Sequence, residues 1–378
     1  MALTPELERR HANVRAAMAE HSLDALVVSG SEYTGFEGAV TYLSGFQIVH
    51  RYAYVVVPAD GEPFAVFPSE ARYVGEHGTA EIEQVFHDRP GELIAGRARD
   101  AGWRRVAVYG LDYVMPVRDF RSLDASLEVV PFDVEFDLAR AVKSEAELDS
   151  VRDSVRINQR GFEIFLEAYA PGKSAAEVMA AAEDWFVAEG CGRLTMNMVL
   201  TGNDTFARPE FKIARHEVLG AFVLPSLEVA GPGMHWVEVS RAIAAPGTTL
   251  SPDTVSMLDA YLEYFEVARK AMRPGATCHD LHRAVSEGFR ERGYHLGHVT
   301  GHSIGMTMIE FPKVGEGVET ELQEGMVLSM HPHAIAPNGE DCVYMQETWL
   351  VTRDGGDPLS TLPMRVFVGG DGSEPPSA

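Results

Sequence analysis

Residues 5–20 place apolar side chains at helical spacing between charged faces, which predicts an amphipathic helix. Thr4 stands at its N-cap, with Pro5 at the first helical position and Glu6 in an acidic first turn. The short apolar run Ala25–Gly30 predicts a buried strand. Two β-rich runs, Tyr52–Pro58 and Pro63–Pro68, flank Asp60-Gly61 and predict a hairpin. Arg105–Gly110 and Leu127–Val130 read as further strands alternating with helices, so the first ~140 residues read as an α/β domain.

A long helical stretch begins at Lys143, with Ser144 placed to cap and Glu147 three residues on as its capping-box partner. The domain boundary is set there: 1–142 as an N-terminal α/β domain, 143–370 as a second domain, and 371–378 as a disordered Gly-, Pro- and Ser-rich tail. The second domain repeats itself. Phe162, Glu163, Ala168, Pro171, Gly172, Phe186 and Gly190 recur at one offset as Phe265, Glu266, Ala271, Pro274, Gly275, Phe289 and Gly293. Pro-Gly breaks a helix at the same place in each copy, which implies a duplicated helix-turn-helix unit feeding a sheet.

With 378 residues the chain is long enough for two well-buried cores. A formal net charge of -24 argues against binding to a nucleic-acid backbone or to anionic lipid. Three dispersed cysteines (Cys191, Cys278, Cys342) form no CxxC pair and suit a reducing cytosol. No secretory signal and no membrane-spanning run is read, so a cytoplasmic location is expected.

The chemistry concentrates in the second domain. Gly301-His302-Ser303-Ile304-Gly305 precedes Gly325-Met326-Val327-Leu328-Ser329-Met330-His331-Pro332, which precedes Gln346-Glu347-Thr348-Trp349-Leu350-Val351-Thr352. Upstream, Trp236-Val237-Glu238-Val239-Ser240 alternates like a strand and ends before Arg241. This layout resembles the pita-bread superfamily: methionine aminopeptidase, Xaa-Pro aminopeptidase, prolidase and creatinase. Val40-Thr41-Tyr42-Leu43-Ser44-Gly45-Phe46 likewise resembles a strand of the prolidase-like N-terminal domain. The resemblance implies the α/β domain followed by an α+β pita-bread domain with a pseudo-two-fold, and a homodimer in which the small domain reaches the partner's site.

The peptidases of that superfamily hold two metal ions with two Asp, one His and two Glu. Carried over, those positions are Leu227, Glu238, His302, His331 and Gln346, or Glu347 if the register slips by one. Glu228, beside Leu227, would face the other way in a strand. Only one carboxylate then stands where the pattern has four, which is too little charge for two divalent ions.

The expectation is therefore a creatinase-like, metal-independent hydrolase that opens a C–N bond of a small amino-acid-derived solute, with Xaa-Pro peptidase activity not expected. Glu238, His302 and His331 would be catalytic through acid–base chemistry. Arg208 and Arg51 would clamp a substrate carboxylate, joined by His333, Tyr344 and Gln346. Asn203 and Asp204 are further candidates, and Met306 and Met308 read as core or pocket wall. No cofactor is expected in this reading. The alternatives are a single iron, zinc or manganese ion on Glu238, His302 and His331, serving a hydrolase or lyase, and an inactive pita-bread binding module.

Overall fold

The computed structural model describes residues 4–32, 36–48, 50–74, 82–192, 194, 196–203, 205–211 and 216–369. Asp204 and the 371–378 tail of the sequence reading lie outside them. The chain divides into two compact units, Met1–Ala141 with Met306–Phe311, and Val142–Gly305 with Pro312–Ala378.

The first unit runs α1 (Pro5–Glu20), β1 (Ala25–Ser31), α2 (Gly38–Ser44), β2 (Tyr52–Pro58), β3 (Phe64–Pro68), β4 (Glu83–His87), α3 (Pro90–Ala101), β5 (Arg105–Tyr109), α4 (Val117–Asp124), β6 (Glu128–Pro131) and α5 (Asp133–Ala139). Its strands form one mixed sheet in the order β4-β3-β2-β1-β5-β6. Asp60-Gly61 joins an antiparallel hairpin, β2 to β3, as its turn chemistry predicts.

Alternate residues of the central strands feed two cores. Leu26, Val28, Val55 and Val57 pack with Val14 and Met18 of α1 and with Leu43 of α2. Val27, Tyr54, Val56 and Val108 pack with Ile94 and Ala98 of α3 and with Leu123 of α4. Each fully buried aliphatic side chain contributes roughly 1.5–3 kcal/mol. The strand expected over Val40–Phe46 is instead helix α2. All seven of its residues are buried, so no polar alternation marks its period, and Gly45 ends it at φ 67°. Met306 belongs to this unit's core and Met308 is also buried.

The second unit opens with two helix pairs. These are α6 (Glu145–Ala168) with α7 (Ala175–Ala188), and, after strands β7 (Met198–Thr201), β8 (Phe222–Ser226), β9 (Glu228–Ala230), β10 (Trp236–Glu238) and β11 (Ile243–Ala244), α8 (Pro252–Ala271) with α9 (Cys278–Glu291). There follow β12 (His295–Leu296), β13 (Gly301–Ser303), β14 (Glu310–Val314), β15 (Val327–Met330), β16 (Ala334–Ile335), β17 (Cys342–Val343), β18 (Glu347–Thr352), β19 (Gly355–Pro358) and β20 (Phe367–Val368). The main sheet orders are β20-β11-β8-β7 and β14-β13-β15-β18-β19.

The sequence repeat is a structural repeat. Gly172 and Gly275 turn the chain at φ 87° and 85°, and Ser174 and Thr277 cap the following helices with matching capping boxes. Gly172 N–H donates to Leu219 O at 2.9 Å, as Gly275 N–H does to Leu322 O at 3.1 Å. Phe162 packs edge-on to Phe367, and its counterpart Phe265 packs on Trp349. Gly161 lets α7 approach, since a Cβ there would lie 2.2 Å from the Phe186 ring.

The three cysteines are free. Burial raises the Cys191 thiol to about 11 and the Cys278 thiol to about 12, which suits packing rather than nucleophilic roles. Among the described residues no helix is long and apolar enough to cross a membrane.

Candidate metal centre

Glu238 ends β10 and is buried. Its backbone is fixed by Thr348, whose Oγ1 accepts its N–H and donates to its carbonyl, both at 3.0 Å. Its Oε2 accepts from Ser329 Oγ at 2.6 Å and from Gln346 Nε2 at 3.1 Å. His302 Nε2 lies 3.4 Å from Oε1, and His331 Nε2 lies 3.7 Å from Oε2. One ligand atom from each of Glu238, His302 and His331 falls within 4.8 Å of the others.

Burial alone would raise the Glu238 carboxyl, but His331 and His302 outweigh it and hold it at about 2. Burial pulls the His331 imidazole down to about 4, so it stays neutral at pH 7. Burial acts the same way on His302, yet the Glu238 carboxylate raises it above its ordinary value.

These residues fit a metal ion. His302 Nδ1 lies 3.0 Å from Ser303 O, which makes Nδ1 the protonated nitrogen and leaves the Nε2 lone pair facing Glu238. His331 Nδ1 is buried with no partner among the described residues, while its Nε2 points into the same space. Two imidazoles and a carboxylate are a common set for zinc or iron.

Gln346 and Glu347 part ways across their strand. Gln346 faces the cluster, its Nε2 donating also to Glu228 Oε1 at 3.1 Å. Glu347 faces the opposite side, ion-paired to the fully buried Arg241 and bonded to Ser360. The alternation that sends one inward sends its neighbour outward.

Glu228 corrects the sequence reading. It pairs directly with Glu238 in the β9–β10 register, so both carboxylates share a face. Ser226 Oγ donates to Glu228 Oε1 at 2.9 Å. Ser226 and Glu228 stand in the first half where Ser329 and His331 stand in the second, at the same offset as the helix repeat. The inward position is therefore Glu228, and Leu227 was one residue out of register. Burial, reinforced by the Glu238 charge, raises the Glu228 carboxyl well above its ordinary value.

His333 and Tyr344 join the cluster, though the chain over 331–333 is not a strand. Tyr344 stands 5.8 Å from both the His331 and His333 rings, and Phe211 packs 4.9 Å from Tyr344 and 5.0 Å from His333. Burial lowers His333 to about 3. His298, which sequence reasoning passed over, lies 5.1 Å from the His331 ring. Its signal was its place four residues before His302.

Arg208 is exposed, and among the described residues it makes no ion pair with the cluster. Asn203 folds its own loop, its Oδ1 accepting from Thr205 N–H at 2.8 Å. Arg51 belongs to the first unit and pairs with Glu70 at 3.6 Å, both partners half exposed.

Residues 149–353 match the model of metallopeptidase family M24, and residues 10–142 match the creatinase/prolidase N-terminal domain. The chain belongs to metallopeptidase family M24. This M24 chain is 28% identical over 374 residues to a protein of Mycobacterium tuberculosis named "Probable dipeptidase PepE", covering 95% of this chain and 96% of the relative. It is 24% identical over 247 residues to the Xaa-Pro dipeptidase of Pyrococcus furiosus, covering 65% of this chain and 67% of that one. The solved prolidase of Thermococcus sibiricus shares the fold with a TM-score of 0.82 at 18% identity, over 97% of this chain and 100% of that one. The dipeptidase PepE of Mycobacterium ulcerans does so with a TM-score of 0.79 at 24% identity, over 96% and 98%.

These matches overturn the expected creatinase-like enzyme acting on a non-peptide C–N bond with peptidase chemistry excluded. The family is one of metallopeptidases, and the relatives carry dipeptidase names. That expectation placed Leu227 at the inward position, where the β9–β10 register sets a second carboxyl, Glu228. The expected absence of a cofactor has no support, because the three-residue cluster fits a metal.

Proposed function

We propose that this chain is a metal-dependent peptidase of the dipeptidase type, with a divalent ion held by Glu238, His302 and His331. The single observation that carries the reading is the convergence of those three buried ligand atoms within 4.8 Å of one another, in a chain of metallopeptidase family M24. The dipeptidase names of the relatives supply the substrate class.

A bound ion would supply Lewis acidity toward a peptide carbonyl. The protein's part is to hold charge and geometry. Glu238 contributes the full negative charge, and Ser329 and Gln346 fix its rotamer by donating to the same oxygen. Ser303 O sets the His302 tautomer. Tyr344, His333 and Phe211 line one side with ring surface that suits a small side chain. The partners in this reading are a small peptide and a second copy of the chain, the latter checked by analytical ultracentrifugation.

The test is hydrolysis of a dipeptide panel, Xaa-Pro members included, by protein stripped with a chelator and then reconstituted with zinc, manganese or iron. The reading expects turnover that disappears on stripping and returns with metal. Absence of turnover of every dipeptide with every metal would refute it.

A further inference from the structure

Helix α9 carries a basic stripe that the reaction above does not use. His279, His282, Arg283 and Arg290 recur at helical spacing, while Leu281, Val285 and Phe289 are buried. The stripe lines a cleft of about 450 Å3 whose other wall includes His295 and His298. Such a concentration of cationic and imidazole groups is conspicuous in a chain of net charge -24.

The charge in the cleft is only partly neutralised. Glu316 is the one carboxylate residue among those lining it. Arg283 pairs with Asp280 at 3.7 Å. Arg290 donates to Ser286 Oγ at 2.5 Å, and among the described residues no carboxylate stands within ion-pair distance of it. A guanidinium without a counter-ion, set in a concavity beside His279, whose Nδ1 accepts from Gly317 N–H at 3.0 Å and so leaves Nε2–H as a donor, is suited to an oxyanion.

The cleft is joined to the metal centre by short contacts. His282 Nδ1 lies 2.5 Å from Oγ1 of the buried Thr300. The Thr300 carbonyl accepts the His331 N–H at 2.9 Å. His298 lines the cleft and also stands against the His331 ring.

We propose that this cleft is an anion-binding site that takes a carboxylate or phosphate group on Arg290 and His282. The two sources of such a group are the C-terminal carboxylate of a peptide and a free inorganic or organic anion. Binding is read on the protein as purified, independently of turnover, so the site stands or falls apart from the peptidase reading.

The probe is inorganic phosphate, titrated calorimetrically into the wild type and into Arg290→Ala and Arg283→Ala/Arg290→Ala variants. These arginines are exposed, so the variants are expected to fold as the wild type does. The expected result is saturable binding in the millimolar range, weakened about tenfold or more in the variants. If the site serves the substrate, Arg290→Ala raises KM for a dipeptide but not for its C-terminal amide, with kcat unchanged. If it serves a free anion, phosphate binds while both substrates keep their KM in the variant. No saturable binding of phosphate, or binding equal in wild type and both variants, would overturn the proposal.

Discussion

Glu228 and Glu238 stand opposite one another across β9 and β10, and Gln346 Nε2 donates to an oxygen of each at 3.1 Å. One neutral amide thus bridges two buried carboxyls that their surroundings push in opposite directions, Glu238 down and Glu228 up. Gln346→Glu replaces that donor with a third carboxyl. Without metal, the variant is expected to lose about 2–3 kcal/mol, because the Glu238 carboxylate loses a donor and gains a repulsive neighbour. Metal should recover more of the loss than it adds to the wild type, since a cation offsets the added charge. Thermal melts with and without chelator check this, and equal metal-induced shifts in the two proteins would count against it.

Arg241 holds the site from behind. Its guanidinium is fully buried, pairs with Glu347, and donates to Gln346 O at 2.6 Å, Ser240 O at 2.9 Å and Leu362 O at 2.8 Å. Lysine cannot reproduce that fork. Arg241→Met leaves Glu347 buried and unpaired and is expected to cost about 3–5 kcal/mol. Arg241→Met/Glu347→Leu, which removes both charges, should recover most of it. Urea denaturation of the two variants measures the difference.

How far the chain could be read in advance depended on whether the signal was local. The helix pairs were legible because Pro171-Gly172 and Pro274-Gly275 break them at matching places in the repeat. The cluster Glu238, His302, His331 was legible through the resemblance to the pita-bread superfamily, whose metal positions fall on these residues. The register of β9 was not, because moving one residue exchanges Leu227 for Glu228 and turns every side chain to the other face. The repeat carried the correction, since Ser226 and Glu228 sit where Ser329 and His331 sit. Helix α2 was missed because a segment buried on every side shows no period. The choice between Gln346 and Glu347 needed the partner Arg241, which only the fold brings near.

The first unit carries a pH dependence in His11. Its side chain is buried, with Nε2 2.8 Å from Leu43 O and, among the described residues, no partner at Nδ1. Burial lowers its pKa below the ordinary value, outweighing the Leu43 hydrogen bond. The folded state therefore favours the neutral imidazole, while the unfolded chain protonates near pH 6.5. The contribution is present in full above about pH 6.5 and is lost as the pH falls toward the lower folded value, by at most about 1.4 kcal/mol per pH unit. His11→Gln should flatten that part of the stability curve between pH 7 and 5. Hydrogen exchange of β1 and β2 amides across this range reports it, and an unchanged slope would exclude His11 as the source.

The central claim is that Glu238, His302 and His331 together hold a divalent ion. The most direct measurement is metal content by mass spectrometry on the purified chain dialysed against zinc, manganese or iron, beside Glu238→Gln and His331→Ala variants checked for native circular dichroism. The account predicts at least one equivalent of one of these metals in the wild type and its loss from both folded variants. Wild-type protein that retains no metal, or folded variants that retain as much as the wild type, would contradict it.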